Sequence, residues 1–237
     1  MRILGVGMGP QHVTAEVAEA LRSVDYVVAP QKGEDDALLA VRRAIAEEYG
    51  VDMVVVPDPE RDHGDSADPA AVEAWHVARV EAYERVLRER RGTAAFLVWG
   101  DPSLYDSAIR IVEGLADRLP IDYDVLPGIS APQLLAARHR IVLHPVGQPV
   151  HITPARRLRE AVESGQINIV VMLARTLDLS GLDDWMLWWG ANLGTPTEAL
   201  IAGRVGEVAE HVEAARERVR STAGWLLDLC LLRKVAP

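Results

Sequence analysis

The chain has 237 residues, of which 49% are hydrophobic, and a formal net charge of −10. This length fits one large domain or two small ones, with enough apolar residues for a sizeable core. The negative charge argues against nucleic-acid binding, and no apolar run approaches the roughly 20 residues that span a bilayer. The single cysteine, Cys230, excludes an internal disulfide and a cysteine-based metal site.

The first half alternates predicted strands with predicted helices, a pattern typical of a parallel sheet with right-handed crossovers. Strands are predicted at 2–6, 26–29, 53–56, 94–98 and 123–126. Because the first strand begins at Arg2, we expect no signal peptide and a cytoplasmic protein. Residues 57–69 are predicted to form a polar surface loop, in which the lone His63 does not amount to a metal site.

The first predicted strand runs into Gly5-Val6-Gly7-Met8-Gly9-Pro10, and Thr14 is predicted to cap the helix that follows. A glycine-rich turn at this place suggests a dinucleotide-binding fold. However, Pro10 occupies the position of the third glycine, and the second strand ends in Pro30-Gln31-Lys32 rather than in an acidic residue. NAD is therefore not the expected ligand.

Two further turns follow predicted strands. The buried run 94–98 leads into Trp99-Gly100-Asp101-Pro102, and the fifth strand leads into Pro127-Gly128-Ile129-Ser130-Ala131, where Ser130 is predicted to cap a helix. Each turn alone could be an ordinary strand-to-helix connection. Since parallel strands end at the same edge of a sheet, where ligands bind in open α/β folds, the pair predicts a binding site.

The second half has a different pattern. Residues 138–145 are basic and predicted to be extended, and we predict strands at 150–153, 167–173, 199–202 and 225–232, with helices at 156–164, 182–188 and 208–219. These elements predict two α/β domains, 1–127 and 128–237, with a cleft between them. The cluster of Trp185, Trp188 and Trp189 could belong to a subunit interface or to the core.

In this order, the motifs resemble the tetrapyrrole methylases, a class of S-adenosylmethionine-dependent enzymes. The resemblance rests on Gly5-Val6-Gly7-Met8-Gly9 with Thr14, on Gly100-Asp101-Pro102 with Tyr105, on 127–131 and on the strand around Met172. It covers essentially the whole chain, although the second half matches only in outline. The first loop departs from many relatives, since Met8 stands in place of proline and Pro10-Gln11 in place of an acidic residue and proline.

The resemblance implies an N-terminal parallel sheet, a C-terminal mixed sheet, a homodimer and S-adenosylmethionine as methyl donor, with no metal. Carried over by position, the cofactor contacts are Met8, Trp99, Gly100, Asp101, Leu104, Ser130, Ala131, Met172 and Ala202. Glycine and alanine allow close backbone approach, and the longer apolar side chains can flank adenine. Core packing is the alternative role for Met172.

Residues 98–107 are most similar to the family branch that methylates precorrin-5 at carbon 1 and releases its acetyl group as acetate. Acetyl removal needs a base and an oxyanion donor, for which Asp106, Tyr105 and His12 are candidates, although each could instead be structural. The substrate is a polycarboxylate, and arginine matches carboxylate geometry. The candidate substrate-binding residues are Arg138, His139, Arg140 and Arg175, with His144 beside them.

Two alternatives remain open at this point. One is a family member that modifies another precorrin carbon, a ribosomal RNA ribose or a modified histidine. The other is a non-catalytic nucleotide-binding or regulatory module. The acidic charge weighs against RNA, and the intact glycine turns weigh against loss of catalysis.

Overall fold

The computed structural model describes residues 1–31, 33, 36–59 and 69–235. His63 lies outside the described residues. The chain divides into two compact units, Met1–Ile129 and Ser130–Pro237, and each unit is built on a five-stranded sheet. In the described part of the chain, no helix combines the length and the apolar character needed to cross a membrane.

The first unit is a parallel α/β sheet with strand order β3-β2-β4-β1-β5. Its elements are β1 (Arg2–Gly5), α1 (Ala15–Ser23), β2 (Tyr26–Gln31), α2 (Ala37–Glu48), β3 (Asp52–Pro57), α3 (Pro69–Glu89), β4 (Ala94–Val98), α4 (Ala108–Ala116) and β5 (Asp124–Leu126). Thr14 caps α1 as predicted, because its hydroxyl accepts a 3.2 Å hydrogen bond from the N–H of Val17.

Both faces of this sheet are covered by helices. Ile3 and Leu4 are neighbours in β1, and their side chains belong to different core clusters because successive strand residues point to opposite faces. The cluster around Ile3 includes side chains of α3 and α4, and the cluster around Leu4 includes side chains of α1 and α2. Since β4 is buried at all five residues, it reads in the sequence as a continuous apolar run.

The second unit is a mixed sheet with strand order β6-β7-β10-β8-β9, in which only β6 and β7 pair in parallel. Its elements are α5 (Ala131–His139), β6 (His151–Pro154), α6 (Leu158–Glu163), β7 (Asn168–Met172), β8 (Trp185–Ala191), β9 (Ala199–Arg204), α7 (Val205–Ala223) and β10 (Asp228–Lys234). The parallel first sheet and the mixed second sheet confirm the predicted fold class.

The helix predicted at 182–188 is wrong, because residues from Trp185 onward form the strand β8, which lies between β10 and β9. Trp185, Leu187 and Trp189 are buried in the core and alternate with partly exposed neighbours, which is the two-residue period of a strand. Neighbouring strands on both sides, β9 and β10, complete its backbone hydrogen bonds. Because Trp185 and Trp189 are buried in the core, the tryptophan cluster no longer supports a subunit interface.

The extended segment predicted at 138–145 is also partly wrong. Arg138 and His139 are the last residues of α5, and Arg140 ends this helix in the left-handed conformation with φ of 56°. Apolar side chains of the same helix explain its length, because Leu134 and Leu135 are buried. The basic run therefore begins on a helix end, where positive charge stabilises the helix dipole.

A buried ion pair joins three elements of the second unit. The Nε of Arg216, on α7, lies 2.9 Å from Oδ2 of Asp228, on β10, and both side chains are 2% exposed. The same carboxylate oxygen accepts a 2.9 Å hydrogen bond from the indole N–H of Trp189, on β8. Burial nevertheless raises the pKa of Asp228, against the lowering effects of Trp189 and Arg216.

Removing the charge of Asp228 should destabilise the protein strongly. We expect Asp228→Asn to lower the free energy of unfolding by about 3–5 kcal/mol, since it leaves the buried Arg216 guanidinium without a counter-charge. Urea denaturation followed by tryptophan fluorescence measures this change. Glu213→Gln is the matched control, because the exposed Glu213 pairs with the same arginine and should contribute less than about 1 kcal/mol. A similar loss of unfolding free energy in both variants would contradict the conclusion that Asp228 is the main counter-charge of Arg216.

Candidate functional site

Three loops meet at the carboxyl edge of the first sheet, because β4, β1 and β5 are adjacent parallel strands. The loops that follow β1 and β4 are joined by two backbone hydrogen bonds: the N–H of Gly7 donates to the oxygen of Gly100 at 3.2 Å, and the N–H of Gly100 donates to the oxygen of Gly7 at 2.8 Å. The first two of the three glycine turns identified in the sequence are therefore directly hydrogen-bonded to each other.

The backbones at this edge approach more closely than side chains would allow. A Cβ added to Gly128 would lie 2.2 Å from the oxygen of Gly100 and 2.7 Å from the carbonyl carbon and oxygen of Gly5. A Cβ added to Gly5 would lie 2.5 Å from the nitrogen of Gly128. Since these are contacts with backbone atoms, none can be relieved by a rotamer change. Glycine is required at both positions.

Asp101 joins the loop after β4 to the loop after β5. Its Oδ2 accepts a 3.0 Å hydrogen bond from the N–H of Gly128, and its Oδ1 accepts one of 2.9 Å from the N–H of Ser103 and another from the Ser103 hydroxyl. Partial burial disfavours the charged carboxylate, but these hydrogen bonds outweigh that effect and hold the pKa of Asp101 below its usual range. The side chain is thus committed to shaping the loops.

The rest of this loop carries two of the three predicted catalytic candidates, Tyr105 and Asp106. Tyr105 has a φ of 51°, in the left-handed region that β-carbons disfavour, and is 46% exposed. Asp106 is exposed, and its Oδ1 accepts a 2.6 Å hydrogen bond from the N–H of Ala108 at the start of α4. Asp106 therefore has a structural role at the start of α4, and within the described residues its Oδ2 accepts no hydrogen bond.

Three more candidates lie at the same edge. His12 closes a short helical turn, Pro10–His12, and its Cβ is 2.5 Å from where a Cβ of Gly7 would stand. Met8 is 4% exposed. The indole nitrogen of Trp99 is buried, and no described residue accepts a hydrogen bond from it. A buried donor without an acceptor is costly, and a ligand can supply the missing acceptor.

The candidates of the second unit are more dispersed. Ser130 caps α5 in a capping box with Gln133, and Ala131 is the first residue of that helix. Met172 ends β7, whereas the exposed Ala202 lies on β9, and β10 and β8 separate these strands. Met172 and Ala202, two of the predicted cofactor contacts, therefore lie on strands that are not adjacent in the sheet.

Two of the four predicted substrate-binding residues already have protein partners. The Nε of Arg138 lies 2.9 Å from Oε1 of Glu198, and Nε2 of His139 is 2.9 Å from the oxygen of Trp189. Arg140 and Arg175 are exposed. Within the described residues, no group of three histidine, cysteine, aspartate or glutamate side chains is arranged to hold a metal ion.

A polar cluster that was not predicted lies at the other end of this sheet edge. Arg79, on α3, contacts Oδ1 of Asp58 at 2.7 Å and donates a 2.7 Å hydrogen bond to the hydroxyl of Ser107. Burial raises the pKa of the neighbouring Tyr83 to about 12. The Nε of Arg42, on α2, donates a 2.9 Å hydrogen bond to the oxygen of Leu97 in β4.

The sequence did contain a signal for Arg42. It lies three residues after Leu39 and three before Ile45, both of which are buried, so it falls on the apolar stripe of α2. An arginine in such a stripe either extends its head to water or binds a buried partner.

Comparison with known proteins gives concordant results. The model of the family of tetrapyrrole (corrin/porphyrin) methylases matches residues 2–209. A precorrin-6A synthase [deacetylating] from Sinorhizobium sp. is 41% identical, with 99% of this chain and 95% of that protein covered.

Solved structures include proteins of similar fold. A putative cobalamin synthesis related protein (CobF) from Corynebacterium diphtheriae is 34% identical with a TM-score of 0.84, and 99% of this chain and 98% of that chain are covered. A uroporphyrin-III C-methyl transferase from Thermus thermophilus, complexed with S-adenyl homocysteine, shares the fold at 18% identity and a TM-score of 0.61, with 98% and 96% covered. The chain belongs to the tetrapyrrole (corrin/porphyrin) methylase family.

Proposed function

We propose that this protein is an S-adenosylmethionine-dependent methyltransferase of cobalamin biosynthesis, which methylates precorrin-5 at carbon 1 and releases acetate to give precorrin-6A. The observation that carries the proposal is the 41% identity, over 99% of the chain, to a relative named precorrin-6A synthase [deacetylating]. We propose that this chain carries out both reactions that the relative's name describes, the synthesis of precorrin-6A and the removal of the acetyl group.

The residues at the edge of the first sheet fit the proposed methyl donor. Adenosylmethionine has no phosphate, so it needs neutral backbone and apolar contacts rather than a lysine-rich loop. Backbone atoms around Gly100 and the apolar parts of Met8, Trp99 and Leu104 supply such contacts, and the indole N–H of Trp99 is a buried donor with no described acceptor. The assignments of Ser130, Ala131, Met172 and Ala202 stay predictions from the family resemblance.

When bound, adenosylmethionine supplies an electrophilic methyl group on a sulfonium, so the protein's main task in methyl transfer is positioning. Acetyl removal requires water, activated by a base, to attack the acetyl carbonyl. The bond between carbon 1 and the acetyl carbon then breaks, its electron pair stays on carbon 1, and acetate leaves. We propose Asp106 as the base, with Tyr105 and His12 as donors to the developing oxyanion. The electron pair left on carbon 1 forms the bond to the methyl group, and the leaving group is the thioether of S-adenosylhomocysteine.

The direct experiment is incubation of the protein with precorrin-5 and methyl-labelled adenosylmethionine. We expect a pigment that has gained one labelled methyl group and lost its acetyl group, together with free acetate in equal amount. Mass analysis of the pigment and an enzymatic acetate assay measure both products. Methylation without acetate would indicate a family member that acts on another carbon, and absence of both products would indicate a non-catalytic module.

Substitutions of Asp101 and Asp106, which lie in the same loop, should affect cofactor binding and turnover differently. Asp101→Ala removes the acceptor for the N–H groups of Gly128 and Ser103, so we expect weaker binding of S-adenosylhomocysteine by about 1–3 kcal/mol. Asp106→Asn keeps an acceptor for Ala108, so we expect unchanged affinity and a large loss of turnover. Calorimetry and the acetate assay measure the two effects. Equal loss of affinity in both variants would show that the cofactor site is misplaced.

We further propose that the protein is a homodimer, as the family resemblance implies. Sedimentation at micromolar concentration should then give twice the chain mass of 25.9 kDa. A species of the single-chain mass under the same conditions would refute the dimer without affecting the proposed activity.

A further inference from the structure

The polar cluster near the end of β4 contains two arginines with different surroundings. The guanidinium of Arg79 has a counter-charge, since it forms an ion pair with Asp58, donates to Ser107 and lies 4.5 Å from the ring centre of Trp75. Arg42 has one hydrogen bond, from its Nε to the oxygen of Leu97. Among the described residues, no acceptor binds its two Nη groups and no carboxylate lies within ion-pair distance.

The fold explains why Arg42 is held at this place. Pairing between β2 and β4 ends at Val28 and Phe96, so the carbonyl of Leu97, one residue further, has no partner on β2. Arg42 supplies that partner from α2. This bond anchors the Nε side of the guanidinium to the carboxyl edge of the sheet. The two Nη groups of Arg42 donate to no partner among the described residues, and they are not fully buried. They form a pair of parallel N–H donors, called the Nη fork below.

The environment of the Nη groups of Arg42 favours binding of an external anion. Burial lowers the pKa of Arg42, and the carboxylates of Asp36 and Asp106 stabilise its charge only from a distance. A partly buried guanidinium without a contacting carboxylate is poorly compensated, and a bidentate carboxylate is the partner that fits its geometry. Asp106, the proposed base, belongs to the loop that begins after Val98, one residue beyond Leu97, so Arg42 and the proposed base lie at the same edge of the sheet.

We infer that Arg42 binds a peripheral carboxylate of the tetrapyrrole substrate through its two Nη groups. This inference rests on the proposed function and adds to it a specific binding residue that the basic residues predicted from the sequence did not include. Arg42 is a binding residue for the macrocycle, and neither methyl-donor affinity nor the acetyl chemistry depends on it directly.

The test compares Arg42→Ala with Arg43→Ala, which removes the exposed arginine next to it on the same helix. We expect Arg42→Ala to lower kcat/KM for precorrin-5 about 10- to 100-fold, the value of a charge-assisted bidentate bond, mainly through KM. Arg43→Ala should match the wild type. Affinity for S-adenosylhomocysteine, measured by calorimetry, should be equal in all three proteins, which also shows that the first unit remains folded.

Arg42→Lys and added guanidinium distinguish binding from support of the strand end. Lysine keeps the charge but loses the fork, so we expect an intermediate KM, and guanidinium at concentrations well below denaturing ones should partly restore Arg42→Ala. An active wild type with the same KM in Arg42→Ala and Arg43→Ala would overturn this inference alone. Wild-type protein that releases no acetate from precorrin-5 would overturn the proposed function and the inference with it.

Discussion

The contact among Gly5, Gly100 and Gly128 is the constraint on which the carboxyl edge of the first sheet depends. Three adjacent parallel strands end in loops whose backbones touch, and a single Cβ at Gly128 would overlap the oxygen of Gly100. Asp101 fixes the arrangement by accepting the N–H of Gly128. Backbone groups therefore occupy the inner positions of this edge, and the proposed apolar contacts to the methyl donor come from Met8, Trp99 and Leu104.

The second unit depends on a different kind of constraint, the buried charge of Arg216. Besides its pair with Asp228, its Nη2 donates to the carbonyl oxygens of Ala174 and Arg175 at 2.7 and 3.2 Å. These residues follow Leu173, which has a φ of 55°. A buried network of this kind fixes a loop that backbone preference alone would not hold. The backbone of the exposed Arg175 is thereby hydrogen-bonded to the buried Arg216.

Much of the architecture could be predicted because local signals agreed with the tertiary structure. The fully apolar run of β4, the caps at Thr14 and Ser130 and the strand-end position of Asp101 all depend on neighbours in sequence. The strand β8 could not be recognised in the same way. Its run Trp185–Ala191 is apolar on both faces, so its two-residue period is weak, and its identity depends on pairing with β9 and β10.

The candidate site was predictable to a similar extent. Residues that share a loop, such as Trp99 to Asp106, are brought together by chain continuity and sheet direction. Arg138 and His139 were assigned to a substrate because they are basic, whereas Glu198 and the carbonyl of Trp189, distant in sequence, already bind them. Arg42 was not among the predicted residues, because its hydrogen bond to the carbonyl of Leu97 depends on the register of β2 and β4 in the sheet.

The central claim is that the touching glycine loops form the methyl-donor site, and calorimetry of S-adenosylhomocysteine with Gly128→Ala tests it most directly. The added Cβ must push the loop of Gly128 away from Gly100 and Gly5. Misplacing the groups of a binding site by about an ångström can lower its performance about 100-fold. The account predicts at least that loss of affinity, with wild-type affinity in Gly33→Ala, where no described atom lies within 4 Å of the added Cβ. Wild-type affinity in a folded Gly128→Ala protein would contradict it.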